Sequence, residues 1–371
     1  MANTSIEEFC RKLPKVELHA HLNTSFSMTF LNELLRKSGN LNGVSLEDLH
    51  LAEAKPLAEG FAIFSKLHQV FRTEETIYQL THSVIREFAE DNVKYLELRS
   101  TPKHIPETGL TRDIYMQTMV RAVQDCQKEG VDITVRLLVS IDRRQGVEVA
   151  KIAVDLAERW MKSTQGLVIG MDFSGDPKVG DASDYIPVFL DAARRGLKLS
   201  LHLAEIPLYK ETKKVLQACC GHCVLRIGHG TFLHRYESNQ GHEEIEDLVV
   251  QWKIPIEACV TSNILSKTVN GPGSHHFWYW HRKQHPVILC TDGKGVFGCL
   301  LSDEYYRVAK EFSLGREDLV SMALSTFDSI FESDDLKQRL RDILRSFCEK
   351  EQVAFPNINT SKEKMSTYCC V

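Results

Sequence analysis

The sequence predicts an α/β fold: a TIM, or (β/α)8, barrel with extra helices between the first two strands and at the C-terminus. Three observations lead there. Eight short β-rich runs recur along the 371 residues. Most are near-continuous in Val, Ile and Leu, as strands covered on both faces are. Stretches with helical period lie between them, and strands alternating with helices form a parallel sheet. Eight such units favour a closed barrel over an open sheet.

The runs are VELHAHL (16–22), VKYLELRS (93–100), ITVRLLVSI (133–141), LVIGMDFSG (167–175), LKLSLHLAE (197–205), VLRIGHG (224–230), IPIEACVTS (254–262) and PVILCTD (286–292). Between them, residues 76–89 place Ile77, Leu80, Val84, Ile85 and Phe88 on one helical face, and 147–160 and 182–195 read similarly. About 70 residues separate the first two runs, including the polar SGNLNGVSLEDLHLAEAKP and at least two helices, expected as a lid over the first strand. After run eight, helices are expected at 303–313, 316–331 and 335–349, then a polar tail from near Asn357. Residues 1–355 thus read as one barrel domain and 356–371 as a disordered tail.

Composition narrows the class. Of the chain, 43% is hydrophobic and 26% charged, the balance of a soluble globular protein. The net charge is −5 with no long basic block, so nucleic acid is not an expected partner. No run of about 18 apolar residues is present to cross a membrane. The N-terminal MANTSIEEFCRKLPK lacks the apolar segment of a secretory signal. The 11 cysteines, an odd number, then read as reduced thiols in the cytoplasm. The ending STYCCV does not place a cysteine where a prenylation box needs one. A monomer is expected.

Active sites in this fold gather at the C-terminal ends of the strands. Run one ends His19-x-His21, and strand alternation points both side chains the same way. Two core imidazoles, or two ligands of one metal, would both fit that pair. Run five ends in His202 and Glu205, run six in His229, run eight in Asp292. Packing alone explains this poorly, because charged groups are rarely buried unpaired. His19, His21, His202 and Asp292 form a nitrogen-rich set that suits zinc best, with iron or manganese as alternatives. A metal of that kind activates water for nucleophilic attack. Glu205 and His229 remain as chemistry residues beside it.

Other candidates fare worse. CCGHC carries one CxxC, Cys220 to Cys223, without the second pair that a structural zinc needs. His275 and His276 read as a loop edge with aromatic packing, and His68 as a helical histidine near the lid. There is no GxxxxGK[ST] phosphate loop, no GxSxG elbow and no cytidine-deaminase zinc signature.

LPKVELHAHLN, KYLELRSTP, the DRR after run three, MDFSGDP, HLAE, RIGHGTFL, TSN and CTD-KGVF, taken together, resemble the adenosine/AMP deaminase family. Within it they are most similar to the adenosine deaminase-like branch, over about Leu13 to Phe331. The resemblance implies one zinc ion held by His19, His21, His202 and Asp292, and hydrolysis at purine C6. Glu205 would protonate N1, His229 would orient the attacking water, and Asp292 would accept its proton. The implied substrate is N6-methyl-AMP, giving IMP and methylamine. His21, Asn23, His68, Ser100, Thr101, Pro102, Lys103, Asp142, Gly175 and Gly293 match positions around the nucleotide, with the STPK segment at its phosphate.

Two positions depart from the branch. Its HLNG is here HLNT, ending in Thr24, and its TDD is here TDG, with Gly293 in place of an aspartate at the purine N7 edge. A weakened enzyme is therefore expected, one that Gly293→Asp improves. An adenosine deaminase acting on the free nucleoside and a nucleotide-binding pseudoenzyme remain the alternative readings.

Overall fold

The computed structural model describes residues 5–38, 67, 69–234 and 242–356. Its strands are β1 (Lys15–His21), β2 (Val93–Ser100), β3 (Thr134–Asp142), β4 (Val168–Ser174), β5 (Lys198–Leu203), β6 (Leu225–His229), β7 (Ile256–Ala258) and β8 (Val287–Leu289). They lie side by side in chain order, each parallel to the next. Beyond β8, the backbone of Asp292 closes the ring. Its N–H donates to His19 O and its C=O accepts from His21 N–H, both at 2.8 Å. The seam of the barrel therefore runs through the residues expected to hold the metal.

The predicted runs overshoot the strands at this mouth. Run seven was expected to reach Ser262, but β7 stops at Ala258 and a helix takes over at Val260–Leu265. Run eight likewise leaves the sheet after β8. The helix expected over 182–195 is a 3-10 turn at Ala182–Tyr185 followed by a helix at Ile186–Arg194, because Pro187 starts a helix better than it continues one. The C-terminal helices are Leu301–Phe312, Arg316–Thr326 with a 3-10 turn to Ser329, and Asp334–Glu351. Of the expected lid, the helix Met28–Ser38 is described. Residues 39–66, His68 and the tail from Asn357 lie outside the described residues.

A helix at Ile6–Lys12 was not anticipated. Ser5 caps it by accepting from Glu8 N–H, and Glu7 and Glu8 sit in its first turn, where the helix dipole favours acids. Its end is tied to the barrel floor: buried Lys15 donates to the carbonyls of Cys10 and Leu13 at 2.8 and 2.9 Å.

Apolar side chains fill the layer between strands and helices in a large cluster that extends from Phe9 to Cys348, with Leu138, Ile169 and Phe331 forming a small second one. The barrel interior differs from that layer. A barrel lumen is commonly filled by Val, Ile and Leu. Here Glu97, Arg99, Asp172, Arg226 and Glu257 are all fully buried at its centre. Arg99 bonds Asp172 and Glu257, each at 2.9 Å, and Arg226 bridges Glu257 (2.6 Å) to Glu97. The near-continuous apolar reading of the runs passed over these charges.

Candidate active site

Above the ionic plug, the strand ends deliver the predicted residues to one mouth. His19 and His21 alternate inward from β1, and His202 comes from β5. Two of the remaining groups depend on unusual backbone. His229 and Asp292 have φ of +61° and +62°, in the left-handed region that side-chain-bearing residues seldom occupy. Ala204, at +52°, turns the chain after His202 so that Glu205 faces the same space. Such strain gathers at functional sites.

The histidine nitrogens are arranged for a cation. His19 Nδ1 donates to Glu257 at 2.7 Å, leaving Nε2 bare, buried and without a partner. His202 Nδ1 lies 3.1 Å from Asp172 Oδ1, so its Nε2 also faces the mouth. That Nε2 is 3.2 Å from His21 Nε2. A tetrahedral ion ~2.1 Å from each nitrogen spaces its ligands by ~3.4 Å, so the pair fits one ion between them. Asp292 Oδ1 is 3.6 Å from His21 Nε2, and Ser262 steers the other carboxylate oxygen by donating at 2.7 Å. Burial holds His19 and His21 well below the ordinary histidine range, which keeps their rings neutral and able to ligate. Two clusters are close enough to share an ion: His19, His21 and Asp292, and His19, His202 and His229. His229 is the member that sequence reasoning did not count as a ligand.

Around the cluster lies a cavity of about 460 Å³, a volume suited to a small molecule. His21, Asn23, Ser100, Thr101, Pro102, Lys103, Asp142, Gly175, His202, Glu205, His229 and Asp292 all line it. Burial pushes the Glu205 carboxyl up to about 7, so a neutral acid is available there near neutral pH. Its Oε1 is 3.8 Å from His229 Nε2. At another part of the wall stands Lys103, whose Nζ is buried with no hydrogen-bond partner among the described residues. Burial first, and the charge of Arg72 second, lower that amine to about 7. A buried cation without a partner is a place prepared for an anion.

Packing explains several of these positions. Gly175 is a glycine because a Cβ there would meet Asp142 Oδ1 at 2.5 Å, at a φ of +105°; the crowding comes from the protein's own carboxylate. Asp142 is itself engaged by Arg144, whose Nε and Nη2 donate to it at 2.9 and 2.6 Å. Ser100 turns its hydroxyl to Tyr115 at 2.7 Å. Gly293 does not line the cavity, whereas Thr24 does. A Cβ at Gly293 would stand 2.5 Å from Thr24 Oγ1 and 2.7 Å from Thr24 Cβ. The expected simple gain from Gly293→Asp therefore fails on space. His275 and His276 do not form a loop edge: both are buried, stacked at 4.1 Å and bonded to Asn263 and to the His229 backbone. Cys219 is buried, Cys220 and Cys223 are half-buried, and none of the three is in a disulfide.

Sequence reasoning missed Glu257, Asp172 and Ser262, the groups that orient His19, His202 and Asp292. Their signal was a lone carboxylate inside IPIEAC and GMDFS and a hydroxyl in TSN.

Residues 14–347 match the adenosine deaminase family. The N6-methyl-AMP deaminase of Danio rerio is 44% identical over 340 residues, covering 91% of this chain and 96% of that protein. Its Homo sapiens counterpart is 42% identical over 335 residues, covering 90% and 93%. Among solved structures, the ADAL–IMP complex superposes with a TM-score of 0.82 at 34% identity, covering 93% of this chain and 99% of that one. Arabidopsis ADAL complexed with GMP gives 0.82 at 34%, covering 92% and 98%. With the same barrel, the same extent and a histidine–aspartate cluster at the strand ends, the chain belongs to the adenosine deaminase family of hydrolytic deaminases.

Proposed function

We propose that this chain is a zinc-dependent N6-methyl-AMP deaminase, giving IMP and methylamine and accepting other N6-substituted purine nucleoside monophosphates. The observation that carries the reading is the sharing of one cavity by the histidine–aspartate cluster and the partnerless Lys103. The cluster serves C6 chemistry, and the lysine supplies the positive charge that a 5′-phosphate requires and a free nucleoside does not. The names of the relatives point the same way.

In this reading His19, His21, His202 and Asp292 hold one zinc per chain. The metal, when bound, supplies a Lewis acid that makes water a nucleophile near neutral pH. Glu205, neutral at Oε, gives its proton to purine N1 and draws electron density from C6. Asp292 takes a proton from the water that attacks C6, and His229 steadies the attacking oxygen by hydrogen bonding. The proton on Asp292 then passes to N6 as the C6–N6 bond breaks and methylamine leaves, while the proton still on O6 returns to the Glu205 carboxylate, so that the product carries C6=O and N1–H and both acids are restored. Asn23, His68 and Ser100–Thr101–Pro102–Lys103 hold the phosphate end, and His21, Asp142, Gly175 and Thr24, with Gly293 packed behind it, hold the nucleoside.

No described helix is long and apolar enough to cross a membrane. Among the described residues the large exposed apolar side chains are Ile152, Val179, Val224, Val250, Trp252 and Ile343. In this reading the chain is a cytosolic monomer of one catalytic domain, residues 1–355. The test is metal content measured with turnover on the same sample. About one zinc per chain and a kcat/KM for N6-methyl-AMP far above that for adenosine are expected. Equal values for both substrates would make it a nucleoside deaminase. Zinc without turnover of either would make it a binding protein.

A further inference from the structure

The rings of His275 and His229 are joined through Asn263, and the chain of hydrogen bonds has one direction. It begins at a backbone amide, which can only donate. Phe277 N–H meets His275 Nδ1 at 3.0 Å, so that nitrogen is a bare acceptor. The neutral ring then carries its proton on Nε2, which donates to Asn263 Oδ1 at 3.0 Å. With the amide oxygen so assigned, Asn263 Nδ2 is the group 3.2 Å from His229 Nδ1, and it donates there. Every member is buried, His229 at 2% exposure, His275 at 3% and Asn263 at 0%, so water does not compete for these bonds. His276 anchors the far side, donating from Nε2 to His229 O at 2.7 Å and holding the left-handed backbone.

We propose that Asn263 and His275 are positioning residues that hold His229 in the tautomer with its proton on Nε2. His229 then offers the cavity an N–H donor. It has no free lone pair on either nitrogen, so it neither ligates the metal nor acts as a base. This separates the two geometric clusters: the ligands are His19, His21, His202 and Asp292, and His229 is left to hydrogen-bond an oxygen lone pair beside Glu205. The inference rests on the deaminase reading for its kinetic consequence, but not for the tautomer itself.

Two measurements test it. In the zinc-loaded protein with 15N-labelled histidine, His229 should show a protonated Nε2 and an unprotonated Nδ1. Asn263→Asp changes little in size but turns the donor into an acceptor. The carboxylate accepts from both neighbours, so the His229 proton should move to Nδ1 while zinc content is kept. A wrong tautomer is a large kinetic defect, so kcat should fall by about 10²–10⁴-fold with KM changed much less. His229 with an unprotonated Nε2 in the unsubstituted protein overturns the proposal. So does an Asn263→Asp variant that keeps kcat within about threefold. If N6-methyl-AMP is not turned over at all, the function fails while the nitrogen spectrum still decides the tautomer.

Discussion

His19 and Glu257 share a 2.7 Å hydrogen bond at the centre of the barrel, with neither side chain exposed to solvent. The bond joins the histidine–aspartate cluster to the ionic plug. Burial alone would raise the Glu257 carboxyl, but Arg99 and Arg226 hold it well below the ordinary carboxylate range. A permanent anion therefore accepts the Nδ1 proton and keeps Nε2 available. Partners of this kind tune metal sites as well as orient them.

Glu257→Gln keeps an acceptor for His19 and removes the charge. Metal affinity should fall by about 10–100-fold, the scale for losing such a partner. The same change leaves Arg99 and Arg226 short of a counter-charge, so stability should drop by about 3–5 kcal/mol. Chelator competition reads the first effect and thermal unfolding the second. Unchanged affinity in a folded variant would mean that His19 is oriented by packing alone.

His202→Ala and His229→Gln should part company. The first deletes a nitrogen at 3.2 Å from its neighbour ligand and should lose zinc together with activity. The second should retain about one zinc per chain and lose turnover. Retention of metal by the first, or its loss from the second, would reassign the ligand set.

Glu205→Gln should keep zinc while kcat falls by at least about 10²-fold, the usual worth of a positioned proton donor. Loss of zinc instead would make Glu205 a ligand.

Lys103 should give the phosphate site a pH signature. Burial, and then Arg72, lower its amine to about 7 in the free protein. An unfolded lysine titrates near 10.4. Between those values the unfolded chain binds more protons than the folded one, so this residue makes the free protein more stable as pH rises. A bound phosphate acts in the opposite sense, because it favours the charged amine. Affinity for a nucleoside monophosphate should therefore weaken as pH rises through about 7. Lys103→Met should bind more weakly and lose that dependence, with binding of the free nucleoside little changed. Titrations of IMP and inosine at several pH values check this, and an unaltered IMP profile would place the phosphate elsewhere.

Much of this was legible in the sequence. Apolar runs separated by helical stretches define eight strands because parallel strands are covered on both faces. The residues closing those runs mark the site because barrel chemistry sits there. What stayed hidden was tertiary. Glu257 and Arg226 sit on different strands, and no spacing along the chain reveals that they meet. His275 looked peripheral because its partner, Asn263, is reached only when the helix after β7 folds under His229. Gly293 reads in the sequence as a missing side chain, and only the fold shows that Thr24 occupies its space.

That pair gives the last prediction. The backbone at Gly293, with φ −127°, accepts any residue, and the nearest obstacle to a side chain is Thr24. Contacts of 2.5 and 2.7 Å involve the Thr24 Cβ as well as its hydroxyl, and a rotamer change cannot clear the Cβ. Gly293→Asp by itself should therefore push the Thr24 segment, next to the ligand His21, and lower both stability and kcat/KM. Thr24→Gly by itself should open a gap in the cavity wall and lower kcat/KM modestly. The two together exchange one side chain for the other. A hydrogen bond involving a charged group is worth ~1.5–3 kcal/mol, so the double variant should exceed the unsubstituted enzyme by ~10- to 150-fold in kcat/KM if its carboxylate meets the base. The coupling between the sites should then exceed the ~0.5 kcal/mol seen for independent positions. Steady-state kinetics on the four proteins measures it directly. Additive effects, or a gain from Gly293→Asp alone, would show that Thr24 yields its place freely and that the two residues do not act as a unit.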